Sequence, residues 1–161
     1  NVEFIRSSLR QTAEGPNTVL GTKDVQAEHD PALAGARMLV VDDEPNIRAT
    51  IGDILRKYHA EVTIAQSGAD AIARIEGQEF DLVLSDIKMP DKTGYDVFAA
   101  ARRKSGTLPV ILMTGFGYDP SHSIVRASQE GLQAVLFKPF KVDQLLAELR
   151  KALASRVNQP K

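Results

Sequence analysis

Four short apolar runs constrain the fold of this chain more than any other feature of its sequence. The runs cover Met38–Val41, Leu82–Ser85, Val110–Met113 and Ala134–Phe137, and a polar residue follows each. Unbroken apolar runs of this length are typical of strands buried on both faces, as in a parallel sheet. Ligands of open parallel sheets bind outside the carboxyl ends of the strands. We therefore expect the polar residues that follow the runs to converge on one edge of a sheet.

Helical patterns alternate with the strands. A further strand is predicted at Val62–Ala65, and apolar residues recur at helical spacing in segments that begin near Pro45, Ser67, Gly94 and Asp119 and around Leu145. Five strands and five helices in strict alternation predict an α/β protein with a parallel sheet covered on both faces. Right-handed crossovers leave few strand orders. We predict a flavodoxin-like (βα)5 three-layer sandwich whose five-stranded parallel sheet has the order 2-1-3-4-5.

The first part of the chain differs from the rest. Residues 1–35 are mostly polar, with scattered Gly and Pro, so we predict a linker or the remnant of a preceding domain. An extra element packed on the following domain is the alternative. Residues 36–156 are predicted to form the single α/β domain and residues 157–161 a short tail. Because the chain begins with Asn, we expect either a piece of something longer or a trimmed short protein.

The composition argues against several classes of partner. The formal net charge is -1, from 20 basic and 21 acidic residues, and no long block of one charge suggests nucleic-acid binding. Cysteine is absent, so no disulfide or thiolate metal site is available. No apolar stretch approaches the roughly 20 residues of a membrane span, and no signal peptide is visible. We therefore expect no direct nucleic-acid partner and no membrane partner.

Carboxylates follow the first and third strands. Asp42 and Asp43 are adjacent and repel each other, which a hard divalent cation such as Mg²⁺ relieves. An acidic turn at a helix N-terminus is the alternative interpretation. Asp86 ends the most apolar run. A carboxylate there becomes an effective nucleophile toward a phosphoryl group once a metal and a cation neutralise the phosphoryl oxygens.

A hydroxyl and an ammonium follow the last two strands. Lys138 comes directly after a strand and before Pro139, and its ammonium is suited to phosphate. A solvated surface lysine is the alternative, and the Lys138–Pro139 peptide is a candidate for the cis form. The Thr114 hydroxyl could bond a phosphoryl oxygen, or Thr114 could simply be a β-branched residue that ends a strand.

From Met38 to Lys151 the sequence resembles a receiver domain of two-component response regulators. Four ordered motifs carry the resemblance: Val41-Asp42-Asp43-Glu44-Pro45, Asp86-Ile87-Lys88-Met89-Pro90 with Gly94, Met113-Thr114-Gly115 and Phe137-Lys138-Pro139-Phe140. Together they are far more specific than any one of them.

The resemblance implies a role for each site residue. Asp86 is the implied phospho-acceptor. Asp43 and Asp86 would bind Mg²⁺ directly and Asp42 through water, and the Lys88 carbonyl would complete the protein ligands. Thr114 would supply the switch hydroxyl, and Lys138 would contact the phosphate.

The resemblance also implies partners. The phosphoryl group would come from a phosphohistidine on a histidine kinase or a histidine phosphotransfer domain. The chain would catalyse its own phosphorylation and autodephosphorylation, and we expect no stand-alone enzyme. We expect a cytoplasmic location and an upstream domain on the same chain, as in a hybrid histidine kinase, with a stand-alone regulator as the alternative. We also consider a homodimer.

Two other functions remain open. One is a pseudo-receiver that binds partners independently of phosphorylation. The other is a phosphatase or phosphotransferase with an aspartyl-phosphate intermediate, which would need a second catalytic acid and a substrate-closing cap.

The sequence departs from the family pattern at two places. Val135 stands three residues before Lys138, where many receivers have Tyr, Phe or His. The segment 115–122 is about two residues longer than common versions of this loop. We hypothesise that Phe116 and Lys88 slow dephosphorylation, because both lie near the approach of a hydrolytic water.

Overall fold

The computed structural model describes residues 30–115 and 130–157. These residues form five strands and four helices: β1 (Arg37–Val41), α1 (Pro45–Lys57), β2 (Glu61–Ala65), α2 (Gly68–Gly77), β3 (Leu82–Asp86), α3 (Gly94–Lys104), β4 (Val110–Thr114), β5 (Ala134–Phe137) and α4 (Val142–Val157).

The five strands form one parallel sheet of order β2-β1-β3-β4-β5. This confirms the predicted flavodoxin-like order. In register, Val40 lies between Ile64 on β2 and Leu84 on β3, and Leu84 pairs with Ile111 on β4. The central strands β1, β3 and β4 are therefore bonded on both edges, and the carboxyl ends of all five strands lie at the same edge of the sheet.

Two apolar layers cover the sheet, one on each face. Alternate strand residues such as Met38 and Val40 pack with α1 and α4, whereas Leu39 and Val41 pack with α2 and α3. Because both faces are buried, the strands need no polar alternation. The resulting arrangement is the predicted three-layer sandwich, and the core supports the sheet edge from both sides.

Local sequence signals place the helix starts. Pro45 is the first residue of α1, where its missing N–H has no consequence. The Ser67 hydroxyl accepts a hydrogen bond from the Asp70 N–H and caps α2. Thr93 and Asp96 form a capping box at the start of α3. Pro45 and the two caps define where the loops after β1, β2 and β3 end at this edge of the sheet.

The apolar stripe of the last helix is buried. Leu145, Leu149 and Leu153 all lie in the core on the α1–α4 face, as the sequence pattern predicts. Among the helices of residues 30–115 and 130–157, none is long and apolar enough to cross a membrane.

The last residues of the predicted linker lie against the domain. Leu33 is fully buried in the core on the α1–α4 face. Asp30 forms an ion pair with Arg150 of α4, and the Gly35 N–H donates to the His59 carbonyl. Packing therefore extends at least to Asp30. The domain division at residue 36 stays a prediction, and the helix predicted from Asp119 falls on residues outside the described ranges.

Candidate functional site

Strand register brings three carboxylates together. Val41 pairs with Ser85 across β1 and β3, so Asp42 and Asp86 are the next residues on neighbouring strands. One carboxylate oxygen each of Asp42, Asp43 and Asp86 lies within 4.8 Å of the others. Asp42 and Asp86 are buried, whereas Asp43 is exposed. The cluster is therefore closed on the protein side and open to solvent at Asp43.

Lys138 lies between two of these carboxylates. Its Nζ is 3.0 Å from Asp42 Oδ2 and 3.5 Å from Asp86 Oδ1. The Lys138 side chain is only 14% exposed, which excludes the alternative of a solvated surface lysine. Its backbone N–H donates to the Thr114 carbonyl at 2.8 Å, and the Lys138–Pro139 peptide is cis, as anticipated. The loop after β5 therefore carries a cation directly into the acidic cluster.

The cluster holds more negative charge than Lys138 neutralises. Burial, reinforced by the carboxylate of Asp42, raises the pKa of Asp86 from 3.8 to about 6, although Lys138 opposes the shift. Burial lowers the pKa of Lys138, but the carboxylates of Asp42 and Asp86 outweigh it and the net shift is upward. Lys138 therefore stays charged at neutral pH, and a further cation would relieve the remaining repulsion.

The donor set fits Mg²⁺. This ion takes oxygen ligands, usually one or two carboxylates, and keeps several waters. Asp43 offers an exposed carboxylate beside the buried oxygens of Asp42 and Asp86, so a partly hydrated ion has access from solvent. Lys88 lies in the loop after β3, two residues beyond Asp86, and its side chain is exposed.

Thr114 ends β4 at the same edge. Asp86 pairs with Met113 across β3 and β4, so Thr114 lies one residue beyond the row of Asp86. Its side chain is buried, and its hydroxyl makes no hydrogen bond within the described residues. A buried hydroxyl without a partner is unfavourable and calls for an explanation, such as a ligand that it contacts.

Two contacts that support the site were not anticipated from the sequence. Arg48 Nη1 donates to the Asp42 carbonyl at 2.8 Å, and the Glu44 N–H donates to Asp42 Oδ1 at 2.9 Å. Together they hold the turn between β1 and α1 in place. The sequence does carry a signal for the first contact, because Arg48 is a basic residue one turn into the helix that follows Asp42 and Asp43. From that position a long side chain can reach back over the preceding turn.

Gly94 allows a close approach behind Asp86. A Cβ added at Gly94 would lie 2.6 Å from the Asp86 carbonyl oxygen and 2.9 Å from Ile87 Cα. Both are backbone atoms that cannot rotate away, so the start of α3 can lie this near Asp86 only without a side chain.

Val135, which stands three residues before Lys138, is partly buried in β5 and packs against the α2–α3 core.

The chain is similar to known proteins over its α/β domain. A family model described as response regulator receiver domain matches residues 38–150. The transcriptional regulatory protein TcrA of Mycobacterium tuberculosis is 33% identical over 124 residues, which are 77% of this chain and 48% of TcrA. The chain thus spans about half the length of this relative.

Solved structures with the same architecture include a CheY-like receiver domain protein from Methanospirillum hungatei. It is 29% identical with a TM-score of 0.73, over 79% of this chain and 100% of that one. The response regulator TrrA of Thermotoga maritima, in complex with Mg(2+)-BeF, is 32% identical with a TM-score of 0.64, over 73% of this chain and 98% of TrrA. Because the family model covers well over half of the chain and the fold agrees, this chain belongs to the response regulator receiver domain family.

Proposed function

We propose that this domain is a phosphorylation-controlled switch in which Asp86 accepts a phosphoryl group from a phosphohistidine on a histidine kinase or a histidine phosphotransfer domain. The observation that carries the proposal is the arrangement around Asp86. Asp86 is a buried carboxylate with a raised pKa, 3.5 Å from the ammonium of Lys138 and within 4.8 Å of the carboxylates of Asp42 and Asp43. Carboxylates with strongly raised pKa values in charged clusters of this kind concentrate at functional sites.

The reaction follows from the state of Asp86. With a pKa of about 6, its carboxylate is largely ionised at neutral pH and can attack phosphorus. The new bond joins a carboxylate oxygen to phosphorus, and the P–N bond to the donor imidazole breaks. The imidazole leaves with the electron pair of that bond. Phosphoryl transfer of this kind depends on positioning and charge neutralisation, and Lys138 supplies an ammonium to the phosphoryl oxygens.

The residues that would hold Mg²⁺ are Asp43 and Asp86 directly, Asp42 through water and the Lys88 carbonyl. When bound, the ion supplies positive charge to the phosphoryl oxygens during transfer. The TrrA structure contains Mg(2+)-BeF, which supports a magnesium site in a domain of this fold.

The switch step involves Lys138 and Thr114. In the present state Lys138 lies nearer to Asp42 than to Asp86. A phosphoryl group on Asp86 would draw the ammonium away from Asp42, and the Thr114 hydroxyl would donate to a phosphoryl oxygen. Because the Thr114 carbonyl accepts from the Lys138 N–H, a shift of Thr114 also moves the loop after β5. Partner contacts near β4 and β5 would then change.

Labelling from a small acyl phosphate such as acetyl phosphate, in the presence of Mg²⁺, tests the proposal. We expect label on the wild type and none on Asp86→Asn. The matched control is Asp53→Asn, because the Asp53 side chain is 81% exposed on α1 and pairs with Arg56 outside the acidic cluster. An unlabelled wild type that still binds Mg²⁺ would instead support the phosphorylation-independent binding module, which Val135 leaves open although Asp86 and Lys138 argue against it. Multiple-turnover hydrolysis of unrelated phosphate esters by the wild type would support the alternative of a phosphatase or phosphotransferase.

A further inference from the structure

Among the described residues, backbone–backbone hydrogen bonds hold the loop between β3 and α3, residues 87–93, only at its two ends. At its start the Ile87 N–H donates to the Met113 carbonyl at 2.9 Å, and at its end the Gly94 N–H donates to the Ile87 carbonyl at 2.8 Å. Between them Lys88, Pro90, Asp91 and Lys92 are exposed. Lys88 makes no hydrogen bond within the described residues. Met89 is buried in the α2–α3 core, so the exposed segment Pro90–Lys92 is the part of the loop that needs another attachment.

Asp91 provides that attachment. Its Oδ1 accepts from the Gly68 N–H at 3.1 Å and its Oδ2 from the Ala69 N–H at 2.9 Å. These are the first two N–H groups of α2, which lack intrahelical partners and lie at the positive end of the helix. The pKa of Asp91 is lowered, chiefly by the hydrogen bond from Ala69. The carboxylate of the loop thus binds the helix with both oxygens.

The loop and the start of α2 are also tightly packed where Lys92 lies against Gly68. A Cβ added at Gly68 would lie 2.4 Å from Lys92 Cβ and 3.3 Å from Lys92 Cα. The absence of a side chain at Gly68 therefore lets the loop approach the helix. Ser67 already caps the next free N–H of α2, that of Asp70, at 3.1 Å. Asp91 and Gly68 thus join the loop to α2 beyond the capping that the helix provides for itself.

We propose that Asp91 is a positioning residue for the metal site. By anchoring the loop to the N-terminus of α2, it keeps the Lys88 carbonyl beside Asp86 and so raises the affinity of the site for a divalent cation. The inference deepens the proposed function, because it rests on the assignment of the Lys88 carbonyl as a metal ligand. A purely structural role for Asp91 would affect the stability of α2 and nothing more.

Two capping variants separate these roles. Asp91→Ala and Ser67→Ala each remove an acceptor from the first turn of α2, and both should lower the midpoint of thermal unfolding. Affinity for Mn²⁺, which prefers the same oxygen ligands as Mg²⁺, can be measured on each folded variant from the electron paramagnetic resonance signal of the free ion. We expect about tenfold weaker binding for Asp91→Ala, at the lower end of the range for outer partners of metal ligands. Ser67→Ala should bind like the wild type.

Gly68→Ala tests the anchor from the helix side. It leaves the Asp91 carboxylate intact but displaces Lys92, because the added Cβ cannot fit. We expect weaker Mn²⁺ binding and a lower midpoint of thermal unfolding, because the loop must move away from α2. Wild-type affinity in both Asp91→Ala and Gly68→Ala would overturn the inference. So would an equal loss in Asp91→Ala and Ser67→Ala.

The outcome for the proposed function can be read separately. If the wild type binds Mn²⁺ and Asp91→Ala binds it about tenfold more weakly, the positioning role of Asp91 stands whether or not Asp86 takes a phosphoryl group. Failure of the wild type to accept a phosphoryl group from acetyl phosphate would contradict the proposed function alone.

Discussion

Replacing Asp86 with asparagine should stabilise the protein in the absence of a metal. The folded state raises the pKa of this carboxyl from 3.8 to about 6, so the folded chain holds the proton more tightly than the unfolded chain. The stability of the wild type therefore falls as the pH rises from 3.8 to about 6. At about 1.4 kcal/mol per pKa unit, ionised Asp86 costs roughly 3 kcal/mol as an upper limit. An amide at this position carries no charge and avoids that cost.

The assay is urea denaturation of both proteins across this pH range without divalent cations. We expect the advantage of Asp86→Asn to be small near pH 4 and to grow by about 2–3 kcal/mol by pH 7. Adding Mg²⁺ should stabilise the wild type more than the variant and narrow the difference. As a control, Asp53→Asn at the exposed end of a long ion pair should change stability by no more than about 0.5 kcal/mol. A variant less stable than the wild type at neutral pH, or a pH-independent difference, would refute the reasoning.

Three further predictions concern residues around the site and at the domain boundary. Thr114→Val should leave unliganded stability unchanged or raise it by up to about 1 kcal/mol, because the lost hydroxyl has no hydrogen-bond partner among the described residues; a clear loss in urea denaturation would contradict this. Gly94→Ala should cost about 1–3 kcal/mol, because its Cβ would meet the Asp86 carbonyl at 2.6 Å. Gly106→Ala, with nothing within 4 Å, is its control, and equal stability of the two variants would argue against the close approach. Leu33→Ala should cost about 2–5 kcal/mol, as for other fully buried leucines; a loss below about 1 kcal/mol would show that the packed domain begins after Leu33.

The sheet edge could be predicted from the sequence because its determinants are local. The apolar runs before Asp42, Asp86, Thr114 and Lys138 identify buried strands, and parallel strands bring their carboxyl ends together. The sheet order follows from the alternation of strands and helices with few allowed crossovers. The resemblance then adds the roles of these residues, which stay proposals.

The remaining features depend on packing, on turn shapes and on contacts between segments that are distant in sequence. Leu33 is a lone apolar residue in a polar segment, so no periodicity indicated that it would be buried. Asp91 contacts Gly68 and Ala69 across 22 or 23 positions in the chain, and the sequence does not indicate that the loop and the helix meet. Arg48 likewise reaches back over a turn whose shape the sequence does not specify.

The most direct test of the account identifies the residue that carries a phosphoryl group after exposure of the wild type to acetyl phosphate. Peptide mass spectrometry at acidic pH, with and without Mg²⁺ during the reaction, measures both the position and its dependence on the metal. We predict one modified residue, Asp86, and modification only when Mg²⁺ is present. A phosphoryl group on another residue, or equal modification of Asp86 without the metal, would contradict the central claim.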